Sequence, residues 1–301
     1  MLKFGLETEC CHLSFQNKRM DIFQFIDFAA DTGFDGVVIN VIEKRNLQEG
    51  LGALGKDNPE HIKKVAQKIK ERGLYVSVDT RGTSFEHLSH MLDVADMLGA
   101  DLLRTFVMVG NSFSHTNLVG EFSQEGMDQA YEDLKKIVPL CEKKRIKLAI
   151  ENHCAETMTE VMDLVNRVDS RWVGVLFDYG NAIPVYEDPM HALQLCTDKL
   201  FGVHLKDQVI CKTGEENELE YCMSETGVGE GACDVIGLSK YIMEHTTLDR
   251  LNVETSFPYA GRFTRPVGTG GVTKLGEGAF SFADGKGQAA ALLLLWRRVS
   301  R

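Results

Sequence analysis

The sequence predicts a single-domain α/β fold, a (β/α)8 TIM barrel. Short apolar, β-branched runs alternate with longer amphipathic stretches. About eight such pairs fit into roughly 260 residues, the usual size of that barrel. The first run is followed by Glu7-Thr8-Glu9-Cys10-Cys11-His12. A doubly wound open sheet, the runner-up architecture, usually has a glycine-rich turn there.

Strands are predicted, in order, over Leu2–Glu7, Gly36–Asn40, Tyr75–Asp79, Leu102–Val107, Lys147–Asn152, Val173–Asp178, Phe201–Lys206 and Arg250–Glu254. Each has the short apolar character of a parallel strand buried on both faces. The first helix, Asp21–Thr32, puts Ile22, Phe25, Ile26 and Ala29 on one face and stops near Gly33. Asn58-Pro59-Glu60 opens the next as cap, first-turn proline and first-turn acid, and Ile62, Val65, Ala66 and Ile69 follow at helical spacing. Ser84–Leu98, Gln124–Lys144, Thr157–Arg167, Pro189–Cys196 and Asp234–His245 complete the series. Residues 1–267 are expected to form the barrel. Residues 268–301 turn glycine-rich and then abruptly apolar and basic, which fits either the last barrel helix or an atypical tail.

Composition excludes several classes. No run is long enough to span a membrane, and the N-terminus lacks the apolar core and cleavage site of a signal peptide. The formal net charge of -11 argues against a duplex-binding enzyme, which needs a basic face for phosphates. The eight cysteines include no Cys-x-x-Cys pair and are expected to be reduced thiols of a cytoplasmic protein. The expected partner is a small molecule rather than nucleic acid or membrane, and a homo-oligomer is compatible with the sequence.

Function in a barrel sits at the C-terminal strand ends. The fifth to eighth predicted strands end in Glu151, Asp178, His204 and Glu254. The first two steps are each about one βα unit long; the third is lengthened by an insertion. Each residue alone is more often a cap, an ion-pair partner or a core histidine. Four on successive strands converge at one mouth, where carboxylates ending apolar strands are costly unless paired or bound to a cation. Three carboxylates and one imidazole suit one divalent cation, Mn, Mg, Co or Zn, with manganese favoured.

The motifs Ile150-Glu151-Asn152-His153, Phe177-Asp178-Tyr179-Gly180-Asn181, Val203-His204-Leu205-Lys206-Asp207 and Gly227-x-Gly-x-Gly231-x-x-Asp234 resemble those of the xylose isomerase-like TIM barrel superfamily. That group, the AP endonuclease family 2 type, includes sugar epimerases, hydroxypyruvate isomerases, inosose dehydratases and endonuclease IV. The resemblance covers about residues 1–260. It implies that Glu151, Asp178, His204 and Glu254 are the metal ligands and that Glu151 and Glu254 also move a substrate proton. The epimerase branch usually has a histidine three residues after the metal aspartate, where this chain has Asn181. It also has an arginine shortly after the metal histidine, where Lys206-Asp207-Gln208 follows. Endonuclease IV needs further histidine ligands and a basic surface, and neither is present.

Around these ligands, His153 fits a catalytic acid or base with a pKa near working pH, or a loop histidine capping a helix. Lys206 fits a partner for a substrate carboxylate or for Glu254. Arg104, inside an apolar run, fits an ion pair within the barrel or an acidic substrate group. Asn181 and His12 are further substrate-binding candidates; Glu7, Glu9 and Asp79 can also line the mouth. The long polar stretch from Gln208 to Cys233 fits a lid or surface decoration, and Phe257-Pro258-Tyr259 fits apolar walls. The expected function is a sugar or sugar-acid isomerase or epimerase that removes a proton next to a carbonyl through a metal-stabilised enediolate. The alternative is a lyase on an oxidised sugar, a decarboxylase, dehydratase or deglycosidase, which Asn181, His153 and Lys206 favour. A non-enzymatic sugar-binding barrel is the third reading, and four intact ligands count against it.

Overall fold

A computed structural model describes residues 2–42, 50–107, 122–212, 221–256 and 260–283. The apolar and basic tail and Phe257-Pro258-Tyr259 lie outside the described residues. The barrel strands are β1 (Lys3–Glu7), β2 (Gly36–Asn40), β3 (Tyr75–Asp79), β4 (Leu102–Thr105), β5 (Lys147–Glu151), β6 (Val173–Asp178) and β7 (Leu200–Leu205). After a hairpin of β8 (Asp207–Lys212) and β9 (Tyr221–Thr226), β10 (Arg250–Val253) completes the ring. The closed order is β1-β10-β7-β6-β5-β4-β3-β2, and each neighbouring pair is parallel. This is the predicted fold.

The helices are α1 (His12–Gln16), α2 (Ile22–Asp31), α3 (Pro59–Glu71), α4 (Phe85–Leu98), α5 (Gln124–Lys144), α6 (Met158–Val168), α7 (Pro189–Cys196) and α8 (Val235–His245). Polar caps start seven of them. Asp21, Asn58, Ser84, Ser123, Thr157, Asp188 and Asp234 each accept a first-turn backbone N–H. Those caps fix where each mouth loop ends. No helix among the described residues is long and apolar enough to cross a membrane.

Strand alternation sorts side chains between the helix layer and the barrel interior. Val76, Val78, Leu103, Leu148, Ile150, Val175, Phe177 and Val203 join the large core under the helices. Inside, Leu102, Ala149 and Leu176 form a small apolar layer. Tyr75 crosses the interior below the mouth, and its hydroxyl donates to Asn252 Oδ1 at 2.8 Å. A Cβ on Gly5 or Gly36 would overlap Tyr75, so both positions need glycine for this close approach. Two residues along from Tyr75, Leu102, Ala149, Leu176 and Asn252 on the same faces come Ser77, Arg104, Glu151, Asp178 and Glu254, and Asp79 lies two beyond Ser77. The interior thus turns from apolar to ionic towards the strand ends.

The stretch from Gln208 to Cys233, expected as a polar loop, is instead built on the β8–β9 hairpin. Its residues pair Asp207 with Thr226 through Lys212 with Tyr221. Ile210 and Met223 join Ile183, Tyr186, Cys233 and Phe280 in a second apolar cluster, so the hairpin has its own core. At its root the Asp207 carboxylate accepts N–H groups from Gly229 (3.0 Å), Gly231 (2.8 Å) and Cys233 (3.0 Å). A Cβ on Gly231 would overlap that carboxylate, which accounts for glycine there.

The segment after β10 runs back over the mouth loops. β11 (Ala260–Gly261) pairs antiparallel with β9. Phe263 stacks on Tyr186 at 4.3 Å. The backbone of Gly270 and Val272 donates to Val185 and Tyr186, and Ala283 donates to Ile210.

Candidate metal centre

Glu151 ends β5, Asp178 ends β6, His204 lies one residue from the end of β7, and Glu254 follows β10. All four are buried, and one ligand atom from each lies within 4.8 Å of the others. His204 Nδ1 faces all three carboxylates. It stands 2.8 Å from Glu254 Oε2, 3.4 Å from Glu151 Oε1 and 3.9 Å from Asp178 Oδ2. Donors about 2.0–2.2 Å from one ion lie roughly 3–4 Å apart, and these separations are already close to that range. The donor set therefore fits a divalent cation.

The surrounding sequence orients each ligand. Asp178 Oδ1 accepts the N–H groups of Gly180 (2.9 Å) and Asn181 (3.1 Å), which leaves Oδ2 for the centre. Asn152 clasps the Asp178 backbone, accepting its N–H at 2.9 Å and donating to its carbonyl at 3.2 Å. His204 Nε2 lies 3.0 Å from Asp79 Oδ2. Asp79 can thus hold the far ring nitrogen and leave Nδ1 for a metal, an arrangement common around metal-bound histidine.

Two cations share the cluster. Arg104 Nε lies 2.9 Å from Glu151 Oε2 and 3.3 Å from Asp79 Oδ2, and its Nη1 donates to the Thr80 carbonyl at 3.2 Å. Of its two sequence readings, this geometry is the ion pair within the barrel. Lys206 Nζ lies 3.0 Å from Asp178 Oδ2, 3.1 Å from Glu254 Oε2 and 3.6 Å from Glu225 Oε1.

Burial sets the protonation states against these charges. Burial raises the Glu151 pKa, but Arg104 and His204 more than offset it and hold the carboxyl at about 2. Asp178 goes the other way, to about 8; burial outweighs Lys206, and Glu254 and Glu151 add to it. Burial pulls His204 down, yet Glu254 and Asp79 carry it well above the ordinary value. The same balance raises Lys206 through Asp178, Glu225 and Glu254. Glu7, at the end of β1, is fully buried, and neither of its oxygens has a hydrogen-bond partner among the described residues. Burial, with Glu254 and Asp79, raises its pKa well above normal.

The other predicted residues spread around this core. His153 stacks flat on Phe106, with ring centroids 3.7 Å apart and planes at 5°. Burial, with Arg104 and Lys206 against Glu151, lowers its pKa to about 4. That departs from the expected near-neutral value and makes it a neutral imidazole. Asn181 donates to Glu151 Oε1 at 3.2 Å and accepts from the Cys154 thiol at 2.9 Å, so its amide is committed to the ligand shell. His12 is buried at the start of α1, with Nδ1 2.8 Å from the Glu9 carbonyl. Sequence reasoning placed Asp79 and Glu7 at the mouth without a role, and it did not single out Glu225. The groups that face them come from other strands, across the ring for Asp79 and Glu7 and from the end of β7 to the hairpin for Glu225, so no single strand reveals the contacts.

A family model for the xylose isomerase-like TIM barrel matches residues 26–244. Among characterised proteins, 3-oxo-isoapionate decarboxylase of Pectobacterium atrosepticum is 25% identical over 185 residues, 62% of each chain. Inosose dehydratase of Bacillus cereus is 28% identical over 121 residues, 38% of this chain and 40% of its own. The chain thus spans less than two-thirds of either relative. Among solved structures, the IOLI protein with a bound zinc atom superposes with a TM-score of 0.62 at 14% identity, covering 99% of this chain and 96% of that one. D-psicose 3-epimerase in the presence of D-fructose also gives 0.62 at 14% identity, covering 99% and 97%. At that identity the two structures show a shared fold.

Proposed function

The chain belongs to the xylose isomerase-like TIM barrel family, and from that premise we propose that it is a divalent-metal-dependent enzyme acting on a sugar or sugar acid. The observation that carries this is the convergence of Glu151, Asp178, His204 and Glu254 on one buried point. The set is three oxygens and one nitrogen, which suits a hard or borderline ion, and manganese is the proposed one. A bound divalent cation supplies Lewis acidity to a substrate carbonyl oxygen.

The chain's residues then divide the remaining work. Glu151 and Glu254 approach from β5 and β10, on either side of β6 and β7. A substrate between them has a carboxylate on two sides, the arrangement needed to take a proton from a carbon beside a carbonyl and to return one elsewhere. That is isomerisation or epimerisation. His153, neutral and half-buried against Phe106, is the proposed further proton acceptor. Asn181, Asp79 and Arg104 hold the ligands, and His12 is a proposed substrate-binding residue. The partner is a small molecule, and self-association into a homo-oligomer is compatible with it.

A second reading rests on Lys206. Its ammonium stands 3.0–3.1 Å from two ligand carboxylates. There it can hold a substrate carboxylate or protonate a leaving hydroxyl, the roles a decarboxylase or dehydratase needs. Both curated relatives carry names of that kind. One experiment separates the readings: metal-loaded protein is incubated in D2O with ketoses, keto-sugar acids and 3-oxo-glycosides and followed by proton NMR. Deuterium next to the carbonyl with the carbon skeleton and hydroxyls retained supports the isomerase. Loss of carbon dioxide, water or an aglycone supports the lyase. No exchange and no conversion with any of them sinks both.

A further inference from the structure

The β5–α6 loop, which carries His153 away from Glu151, does not rest in its own preferred shape. Cys154 sits at φ +62°, a left-handed conformation that a non-glycine residue holds only when its surroundings enforce it. The enforcing contacts come from the far end of the described chain. The Thr264 hydroxyl donates to the Cys154 carbonyl, and the Thr264 N–H donates to the Pro184 carbonyl at 2.9 Å. Arg265 Nη1 donates to the Ala155 carbonyl at 2.9 Å. The same guanidinium forks onto Glu160 of α6, at 3.1 and 3.0 Å, and lies 4.3 Å over the Phe122 ring at the entry to α5. A planar fork can hold a carbonyl and a carboxylate at once, which a lysine ammonium cannot reproduce.

The pinned turn reaches the metal centre in two steps. The Cys154 thiol donates to Asn181 Oδ1 at 2.9 Å, and Asn181 Nδ2 donates to Glu151 Oε1 at 3.2 Å. Resting on the metal-site reading above, we propose that Arg265 is a positioning residue: it clamps the β5–α6 loop and, through Cys154 and Asn181, fixes the carboxylate of Glu151. It touches neither substrate nor ion. The segment 260–283 is on this view part of the active-site frame rather than an appendage to the barrel.

The test uses the full chain and four variants: Arg265→Met, Arg265→Lys, Thr264→Val and, as a control in a remote helix, Ile69→Val. Two readouts are needed, Mn²⁺ affinity by calorimetry and amide hydrogen exchange over residues 152–157. Arg265→Met, which acts two contacts away from the ligand, is expected to weaken Mn²⁺ by about 10-fold, the lower end of what losing a direct outer-shell partner costs, and to speed exchange in the loop. Arg265→Lys and Thr264→Val, which each keep part of the clamp, should fall between it and wild type. Ile69→Val lowers the melting temperature and leaves both readouts unchanged. Arg265→Met or, should it fail to fold, Arg265→Lys and Thr264→Val with wild-type Mn²⁺ affinity overturns the relay to Glu151. Wild-type exchange overturns the clamp. A wild type that binds no divalent cation sinks the function proposed above instead, and the exchange readout then decides the clamp alone.

Discussion

Asp79 stands behind His204, 3.0 Å from the ring nitrogen that faces away from the other carboxylates. Asp79→Asn keeps the shape and removes the charge that fixes the tautomer. It should weaken metal about 10–100-fold while leaving all four ligands in place; calorimetric titration with Mn²⁺ checks it, and an unchanged affinity assigns Asp79 to Arg104 alone. His153→Ala separates binding from chemistry. Metal content should stay at wild type, since four ligands remain, while turnover falls about 10²–10⁴-fold if His153 moves a proton. Turnover at wild type removes it from the mechanism. The meeting of Glu151, Asp178, His204 and Glu254 was legible in the sequence because strand ends in a barrel share one mouth, so position along the chain implies position in space. Asp79, Glu7 and Glu225 were less so. Their significance lies in which side chain faces them, across the ring for Asp79 and Glu7 and across from the hairpin for Glu225, and that depends on packing that one strand does not reveal.

At the level of elements, the helix starts were the most legible feature, because a cap is a local bond between near neighbours. The β8–β9 hairpin was the least. Its polar composition reads as loop, and its order comes from Ile210 and Met223 meeting Phe280 from a distant segment. The turn before α7 carries a testable charge. Glu187 is 1% exposed and accepts the Met158 N–H at 2.8 Å at the start of α6. Burial, against that N–H, raises its pKa from 4.5 to about 7. The folded state therefore holds a proton that the unfolded state has lost between those values, so stability falls as pH rises through this window. The contribution is complete below about 4.5 and gone above about 7. Glu187→Gln removes the titration, so the variant should gain on wild type from pH 5 to pH 8 by about 3 kcal/mol at most. Denaturant melts at the two pH values check this; parallel profiles would falsify it.

For the whole molecule, the interior is a gradient from the apolar layer of Leu102, Ala149 and Leu176 to a mouth crowded with carboxylates. A cation that binds only the folded barrel stabilises it by mass action, about 2.7 kcal/mol at a hundredfold excess over Kd. Adding Mn²⁺ should raise the melting temperature and EDTA should reverse the rise; identical melts in both mean the carboxylates are held by Lys206 and Arg104 alone. Fold class was the most legible property at this scale, since eight alternating units leave few ways to close a parallel sheet. The strap across the mouth was not, because residues 260–283 have weak periodicity and gain order from what lies beneath them. Their place after every barrel strand also matters during synthesis. Chains fold from the N-terminus as they emerge, at about 5–20 residues per second. All eight strands can leave the ribosome and join before Thr264 and Arg265 are free to dock. For that interval the nascent barrel has all its strands and lacks the 260–283 segment, so on the clamp proposed above the β5–α6 loop is the last part of the mouth to gain its fixed shape.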